Sequence, residues 1–364
     1  MVEKEMNQEQ ENKKSVDNEA QNQIKAEIKK PLFGSTLDEL TALVLELGLP
    51  KFTAKQLADW LYKKEISSIE EMSNLSKKAR EQLSEKYELG LKPSVKVQES
   101  KDGTKKYLFP TDSGKYIETA MIPDKNRKTV CVSSQIGCKM GCLFCMTGKQ
   151  GFNGQLTAGE IVNQVRMIDE FSSITNIVYM GMGEPFDNLD EVLKSTEILT
   201  AEWGYAMSPR RITVSSIGIV PALKRFLNES NCNLAISVHT PFEEQRQQLM
   251  PVQLAYPLHE VLDEIRSFDF DNQRKISFEY IVFGGLNDSP EHVKEMARIF
   301  NGIKCRVNLI RFHPIPGTPL QQTDESRLQQ FKDALNSKGI LTIIRSSRGQ
   351  DIFAACGLLS TKGL

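Results

Sequence analysis

Short β-branched and aliphatic runs at residues 129–136, 175–180, 211–216, 233–238, 275–283 and 305–312 alternate with stretches of helical periodicity near 157–171, 189–203, 220–229, 257–268, 290–302 and 324–338. No other property of the chain narrows its fold so far. Six strand–helix units in series demand a parallel sheet, because each helix carries the chain back to the edge where the next strand starts. Right-handed crossovers put the helices outside. The expected architecture is α/β, an open sheet or a partial (β/α)6 barrel, with ligands at the carboxyl ends of the strands.

The segments before this alternation follow other rules. Residues 1–32 are rich in Glu, Lys, Gln and Asn with almost no large apolar side chain, so nothing offsets the entropy of ordering and a disordered tail is expected. Over 33–92, Leu40, Leu43, Leu47, Phe52, Leu57, Trp60 and Leu61 recur at helical spacing, and Ser76 opens a further helical stretch. This predicts a small all-helical accessory domain. Over 93–128 the period shortens: Val95 and Val97, a turn at Lys101-Asp102-Gly103, Tyr107 and Phe109, a turn at Ser113-Gly114, then Tyr116 to Met121. These read as a β-hairpin extension, and residues 129–364 are left as the core. Between 93 and 130, eight Lys or Arg stand against five acids, an excess that fits either a solvated face or a contact to RNA.

Composition sets the outer limits. No apolar run approaches the roughly 18 to 20 residues a membrane span needs. The polar, acid-containing start from Met1 to Lys30 has no signal-peptide core, so a cytoplasmic monomer with no membrane contact is expected. A net charge of -1 gives no overall attraction to nucleic acid, and any RNA partner must be held by local basic patches. Seven cysteines, at 131, 138, 142, 145, 232, 305 and 356, are odd in number and unevenly spread. A reducing compartment with a metal or redox site fits them better than a disulfide frame.

The densest chemical signal follows the first strand of the core. Gly137-Cys138-Lys139-Met140-Gly141-Cys142-Leu143-Phe144-Cys145 spaces its cysteines C-x3-C-x2-C. Three thiolates on one short loop can hold three irons of a 4Fe-4S cube and leave the fourth iron open to a small molecule. The alternative is a structural zinc, which wants four closed ligands. The histidines (239, 259, 292, 313) lie far along the chain, and Cys131 is the nearest further donor. Other candidates are individually weak. Gly181-Met182-Gly183-Glu184 closes the second strand, Ser215 the third and Ser237-Val238-His239 the fourth, each an ordinary turn or core position unless a ligand binds there. Cys356, between small residues, reads as either packing or an accessible sulfur.

Together these motifs resemble the radical S-adenosylmethionine enzymes. Val130 to Cys138, Gly181 to Pro185 and Arg348 to Gly357 are similar in particular to the RlmN/Cfr family of RNA adenine methyltransferases, from about residue 35 to the C-terminus. The resemblance implies one 4Fe-4S cluster on Cys138, Cys142 and Cys145, with Gly183 and Glu184 on the methionyl amine of S-adenosyl-L-methionine. It implies Ser215, Ser237, Val238 and His239 on the ribose or methionyl part. His313, where other members carry an asparagine, is expected at the adenosyl group with a different donor geometry. It implies a methyl-accepting Cys356, a second catalytic Cys131 that forms a disulfide with it, and Glu118 as general base. Two S-adenosyl-L-methionine molecules per turnover, 23S rRNA and tRNA as substrates and an electron donor such as flavodoxin or ferredoxin complete what it implies. The product would be 2-methyladenosine. Two other readings stay open: a Cfr-like enzyme acting on adenine C8, and a non-catalytic, metal-stabilised RNA-binding module.

Overall fold

The computed structural model describes residues 29–270 and 274–361, which divide into two compact units. The first holds residues up to Phe33 together with 37–90. It contains β1 (Lys30–Pro31), α1 (Leu37–Glu46), α2 (Thr53–Lys63), α3 (Lys77–Lys86) and β2 (Tyr87–Glu88), with β1 parallel to β2. Leu40, Leu57, Trp60 and Leu61 are buried as helical spacing required, joined by Val44 and Leu83, whereas Leu43 and Leu47 are only half-buried and Phe52 is exposed. Ser76 caps α3 as its position suggested, its Oγ accepting from Ala79 N at 3.2 Å, a contact typically worth about 1 kcal/mol. The expected tail ends earlier than residue 32. Lys30–Pro31 pair with β2 and Leu32 is fully buried, because Leu32 and Phe33 bring the apolar surface that the preceding residues lack. The rest of that expectation, residues 1–28, lies outside the described residues.

The second unit, from Leu91 onward with 34–36, is built on one ten-stranded sheet. Its strands are β3 (Lys96–Glu99), β4 (Lys105–Pro110), β5 (Tyr116–Asp124), β6 (Arg127–Cys131), β9 (Asn176–Tyr179), β10 (Ile212–Ser216), β11 (Asn233–Ser237), β12 (Ile276–Val282), β13 (Cys305–Arg311) and β14 (Thr342–Ile344). β6 and β9 to β14 run parallel in chain order, while β3, β4 and β5 extend the sheet antiparallel from β6. The hairpin strands are therefore a continuation of the core sheet. Each expected helix is present, as α5 (Ala158–Arg166), α6 (Leu189–Thr200), α7 (Val220–Glu229), α9 (Leu258–Ser267), α10 (Pro290–Ile299) and α11 (Glu325–Ser337).

The structure differs from the sequence reading at three places. The strand expected over 129–136 is two: β6 ends at Cys131, and β7 (Gln135–Gly137) pairs instead with β8 (Phe152–Gln155) in a separate ribbon. Ser133 and Ser134 make the break. Ser133 N donates to the Gln164 side chain at 2.7 Å and Ser134 N to Met182 O at 2.8 Å, so the backbone leaves the ladder for other acceptors. A seventh parallel strand, β14, follows the expected six. A short helix, α8 (Glu243–Leu249), stands where no helix was expected. No helix among the described residues is long and apolar enough to cross a membrane.

Candidate active site

The loop after β7 carries Cys138, Cys142 and Cys145 and runs into α4 (Met146–Gln150). Gly137 allows the turn: its φ is +77°, and a Cβ there would stand 1.8 Å from Gly151 O. Backbone bonds fix the loop, with Cys138 N on Gly151 O at 3.1 Å, Leu143 N on Leu249 O at 3.0 Å and Met146 N on Gly357 O at 2.8 Å. Burial raises the Cys138 thiol to about 12 and pushes Cys142 well up, and each of these sulfurs is raised further by its neighbouring cysteines. Cys138 and Cys142 thus depend on a cationic centre to become thiolates. Among the described residues no three Cys, His, Asp or Glu side chains converge on a single ion. A cube takes one sulfur per iron, so its ligands need no common focus, and this donor set fits three irons of a 4Fe-4S cluster.

These cysteines share one cavity with the carboxyl ends of the parallel strands, the place the topology designates for ligands. Gly183, Glu184, Ser215, Ser237, His239 and His313 all line it. Gly183 has φ +99°, and a Cβ there would meet the Gln135 side chain at 2.5 Å. Glu184 accepts from Phe186 N at 3.0 Å and Ile217 N at 3.1 Å. Burial raises its carboxyl to about 7 against these bonds and that of Ser216, so a cationic partner would find an acid ready to ionise. His239, in the left-handed region at φ +60°, accepts from Ile281 N on Nδ1 at 3.0 Å. Burial, and then the Arg246 charge, lower its imidazole to about 3. It is neutral with its proton on Nε2, a donor rather than a cation. His313 is half-buried and is held below its ordinary value by burial and then Arg311.

Cys131 and Cys356 face the same cavity. Cys131 is buried beside Ala120 and Ala354, and its thiol is raised strongly by burial and then by Cys356. Cys356 is exposed, although crowding on its protein side raises its thiol, with Arg345 acting in the opposite direction. All seven cysteines are free. The disulfide that the resemblance implies is therefore absent here and is no structural staple of this chain.

Two expected site residues stand apart from the cavity wall. Val238 is fully buried, and its N–H is spent on Glu279 O at 3.0 Å, since it sits on the pleat opposite to Ser237 and His239. Glu118 is buried with its carboxylate ion-paired to Lys106 Nζ at 2.8 Å and accepting from Ser360 N at 2.9 Å. Lys105 is likewise paired with Glu170 at 2.7 Å, so part of the basic excess is consumed internally. Two charged cavity residues that the sequence reading did not single out are Glu279 and Arg345. Glu279 accepts from Asn308 Nδ2 at 2.6 Å and Ser277 Oγ at 2.9 Å on one oxygen, and burial raises its carboxyl. An acid inside the apolar run Ile276 to Val282 was the available signal.

A parallel α/β sheet, a three-cysteine loop after its first parallel strand and a polar cavity at the strand ends together define the radical S-adenosylmethionine class. The family model for the Radical SAM superfamily matches residues 132–298, and that for the ribosomal RNA large subunit methyltransferase N-terminal domain matches 30–89. A probable dual-specificity RNA methyltransferase RlmN from Phocaeicola vulgatus is 56% identical over 92% of this chain and 95% of its own length. The protein of that name from Nautilia profundicola is 42% identical over 90% and 97%. A crystal structure of a radical SAM methyltransferase from Sphaerobacter thermophilus aligns with a TM-score of 0.84 at 38% identity, covering 91% of this chain and 99% of that one. The chain belongs to the RlmN family of radical S-adenosylmethionine RNA methyltransferases.

Proposed function

We propose that this enzyme forms 2-methyladenosine in 23S rRNA at the peptidyl-transferase region and in tRNA at the adenine 3′ of the anticodon, through a methyl group carried on Cys356. The observation that carries the reading is the meeting of Cys131 and Cys356 in the same cavity as the three-cysteine loop. Relatives named as dual-specificity RNA methyltransferases support two RNA substrates.

Adenine C2 is electron-poor and cannot itself attack a sulfonium methyl. Cys356 thiolate takes that methyl first by displacement, which requires the accessible sulfur seen here. Cys138, Cys142 and Cys145 would hold the 4Fe-4S cluster, which would supply the electron for reductive cleavage of a second S-adenosyl-L-methionine and so the radical chemistry that activates the methyl group on Cys356. Glu184 receives the methionyl amine, while the neutral His239 and the Ser215 and Ser237 hydroxyls donate to the rest of the molecule. The Cys356-borne methylene adds to C2. Glu118 exchanges its bond to Ser360 for the C2 proton and the adduct gives its surplus electron back to the one-electron carrier; Cys131 thiolate then attacks the Cys356 sulfur, the sulfur–methylene bond breaks with its electron pair going to carbon, and a proton taken up there completes the methyl group, leaving a transient disulfide. A flavodoxin- or ferredoxin-like donor supplies the reducing electrons. The target adenine must come from a loop or be extruded, and the helical unit and the hairpin strands are the candidate RNA grips.

The test is the visible spectrum, iron and sulfide content of anaerobically purified protein, followed by mass spectrometry of RNA nucleosides after reaction with methyl-labelled S-adenosyl-L-methionine and a reductant. Iron, sulfide and 2-methyladenosine are expected. Formation of 8-methyladenosine would move the enzyme to Cfr-type chemistry. Reproducible zinc with no methylated base would sink the catalytic reading.

A further inference from the structure

Arg246, on α8, is the largest fully buried side chain among the described residues, with no exposed surface. Its Nη1 donates to Gln253 Oε1 at 2.6 Å, and its Nη2 to Ile217 O at 2.8 Å and Ser237 O at 3.2 Å. Its Nε finds no acceptor. No carboxylate pairs with it among the described residues; Glu243 of the same helix bonds His259 instead. A guanidinium buried without a counter-ion costs several kcal/mol, far more than capping two strand-end carbonyls returns. A neutral side chain would satisfy those carbonyls more cheaply.

What lies beside it explains the charge. α8 ends against the cysteine loop: Leu143 N donates to Leu249 O at 3.0 Å, and Cys142, Phe144, Leu249, Met250 and Val252 share one apolar cluster. Ile217 and Ser237, whose carbonyls hold the guanidinium, line the cavity together with the three cysteines, so its charge acts on that cavity with little screening. His239 is neutral; Glu243 also acts on the guanidinium but is bonded to His259, and the loop's sulfurs are the negative groups that face it from the cavity. Burial lowers Arg246 only to about 10, which leaves it charged at neutral pH.

We infer that Arg246 is a built-in counter-charge for the iron–sulfur cluster, favouring binding of the anionic cluster and holding its reduction potential up. The inference rests on reading the cysteine loop as a 4Fe-4S site. A thiolate-ligated cluster becomes more negative on reduction, so a fixed neighbouring cation stabilises the reduced form more than the oxidised one. Arg246 touches no reacting atom and is a positioning residue.

The experiment compares full-length wild type, R246K, R246Q and R246M, each reconstituted anaerobically. It uses a redox titration followed by electron paramagnetic resonance, iron and sulfide content, and melting of the metal-free protein. At a fixed potential near the wild-type midpoint, the reduced-to-oxidised ratio should fall on the order of tenfold in R246Q and R246M, equivalent to about 59 mV for a one-electron couple. R246K should stay within about twofold of wild type, because lysine keeps the charge without the guanidinium fork. Neutral variants that fold without metal but take up no cluster, beside an R246K that does, would support the inference through ligation. It is overturned if the neutral variants keep the wild-type potential. It is equally overturned if R246K shifts as far as they do, or if they fail to fold even without iron. A wild type that holds no cluster would instead bring down the reading of the loop.

Discussion

The cysteine loop and the C-terminal segment supply sulfur to the same cavity, but they are held in different ways. Cys138 and Cys142 are buried in a loop locked by backbone bonds and by an apolar cluster with Phe144, Met250 and Phe283. Cys356 is exposed on a segment whose neighbours pack in small patches, Ala354 with Cys131 and Ala355 and Leu358 with Ile315, and which hydrogen bonds tie down further. Thr147 Oγ1 donates to Leu359 O at 2.7 Å, Gln150 accepts from Thr361 N at 2.9 Å, and Glu118 accepts from Ser360 N at 2.9 Å. Each such bond contributes about 1 kcal/mol net, whereas taking apart the apolar cluster exposes several large side chains at once. One region suits a fixed ligand set. The other suits a sulfur that must meet a methyl donor, a base and a second thiol in turn.

Substitution should separate the two regions cleanly. Replacing Cys138, Cys142 or Cys145 by Ala removes both iron and product, so the protein is colourless and RNA methylation falls below detection. Cys356→Ala loses the product as completely but keeps wild-type iron and sulfide, since its sulfur is no part of the fixed set. Iron lost from Cys356→Ala, or retained in full by Cys142→Ala, would dissolve the distinction. Cys131→Ser has a narrower effect: methylation of Cys356 proceeds, and denaturing electrophoresis of the reaction reveals protein covalently joined to RNA, because the sulfur that releases the base is gone. Free product at the wild-type rate from that variant would exclude the role given to Cys131.

Glu184 probes the fixed wall by a smaller effect, on stability. Its carboxyl titrates at about 7 in the folded protein against 4.5 ordinarily, so between those values the folded chain binds the extra proton. Stability therefore falls as pH rises from about 4.5 to about 7 and levels off above that, by at most about 3 kcal/mol. Melting curves over that range should show the decline in wild type and a flatter profile in E184Q. An unchanged slope in E184Q would mean that Glu184 is ionised throughout.

The same contrast governs how much could be read without the structure. The alternation of strands and helices was legible because burial on both faces of a parallel sheet leaves long apolar runs at fixed intervals. β14 was missed because Thr342 to Ile344 is too short to set a period. α8 was missed because Glu243-Glu244-Gln245-Arg246-Gln247-Gln248 reads as a solvated face, and nothing in such a run reveals that its arginine is fully buried. The cysteine loop was legible from spacing alone, since a metal site is a local pattern. Cys131 and Cys356 were joined only by resemblance, because they reach one cavity through β6 and the far end of the chain, while Glu118 on β5 stands beside it on Lys106 and Ser360. Val238 was carried along with its neighbours, although strand alternation turns it away from the cavity.

The smallest expected effect concerns the C-terminal side of the comparison. Burial disfavours the Cys356 thiolate while Arg345 favours it, and methyl transfer to Cys356 needs the thiolate. Removing the cation in R345Q should slow that transfer at pH 7 by about tenfold, roughly 1.4 kcal/mol of lost charge stabilisation, and move the half-maximal rate to higher pH. R345K should retain most of the rate. The measurement is the intact mass of the protein after timed exposure to S-adenosyl-L-methionine without RNA, repeated across pH, so that binding of RNA does not enter. If Arg345 merely braces the segment, R345Q slows transfer equally at every pH and alkali does not restore it. If its charge acts on the sulfur, raising the pH recovers the rate, because hydroxide then does what the guanidinium did.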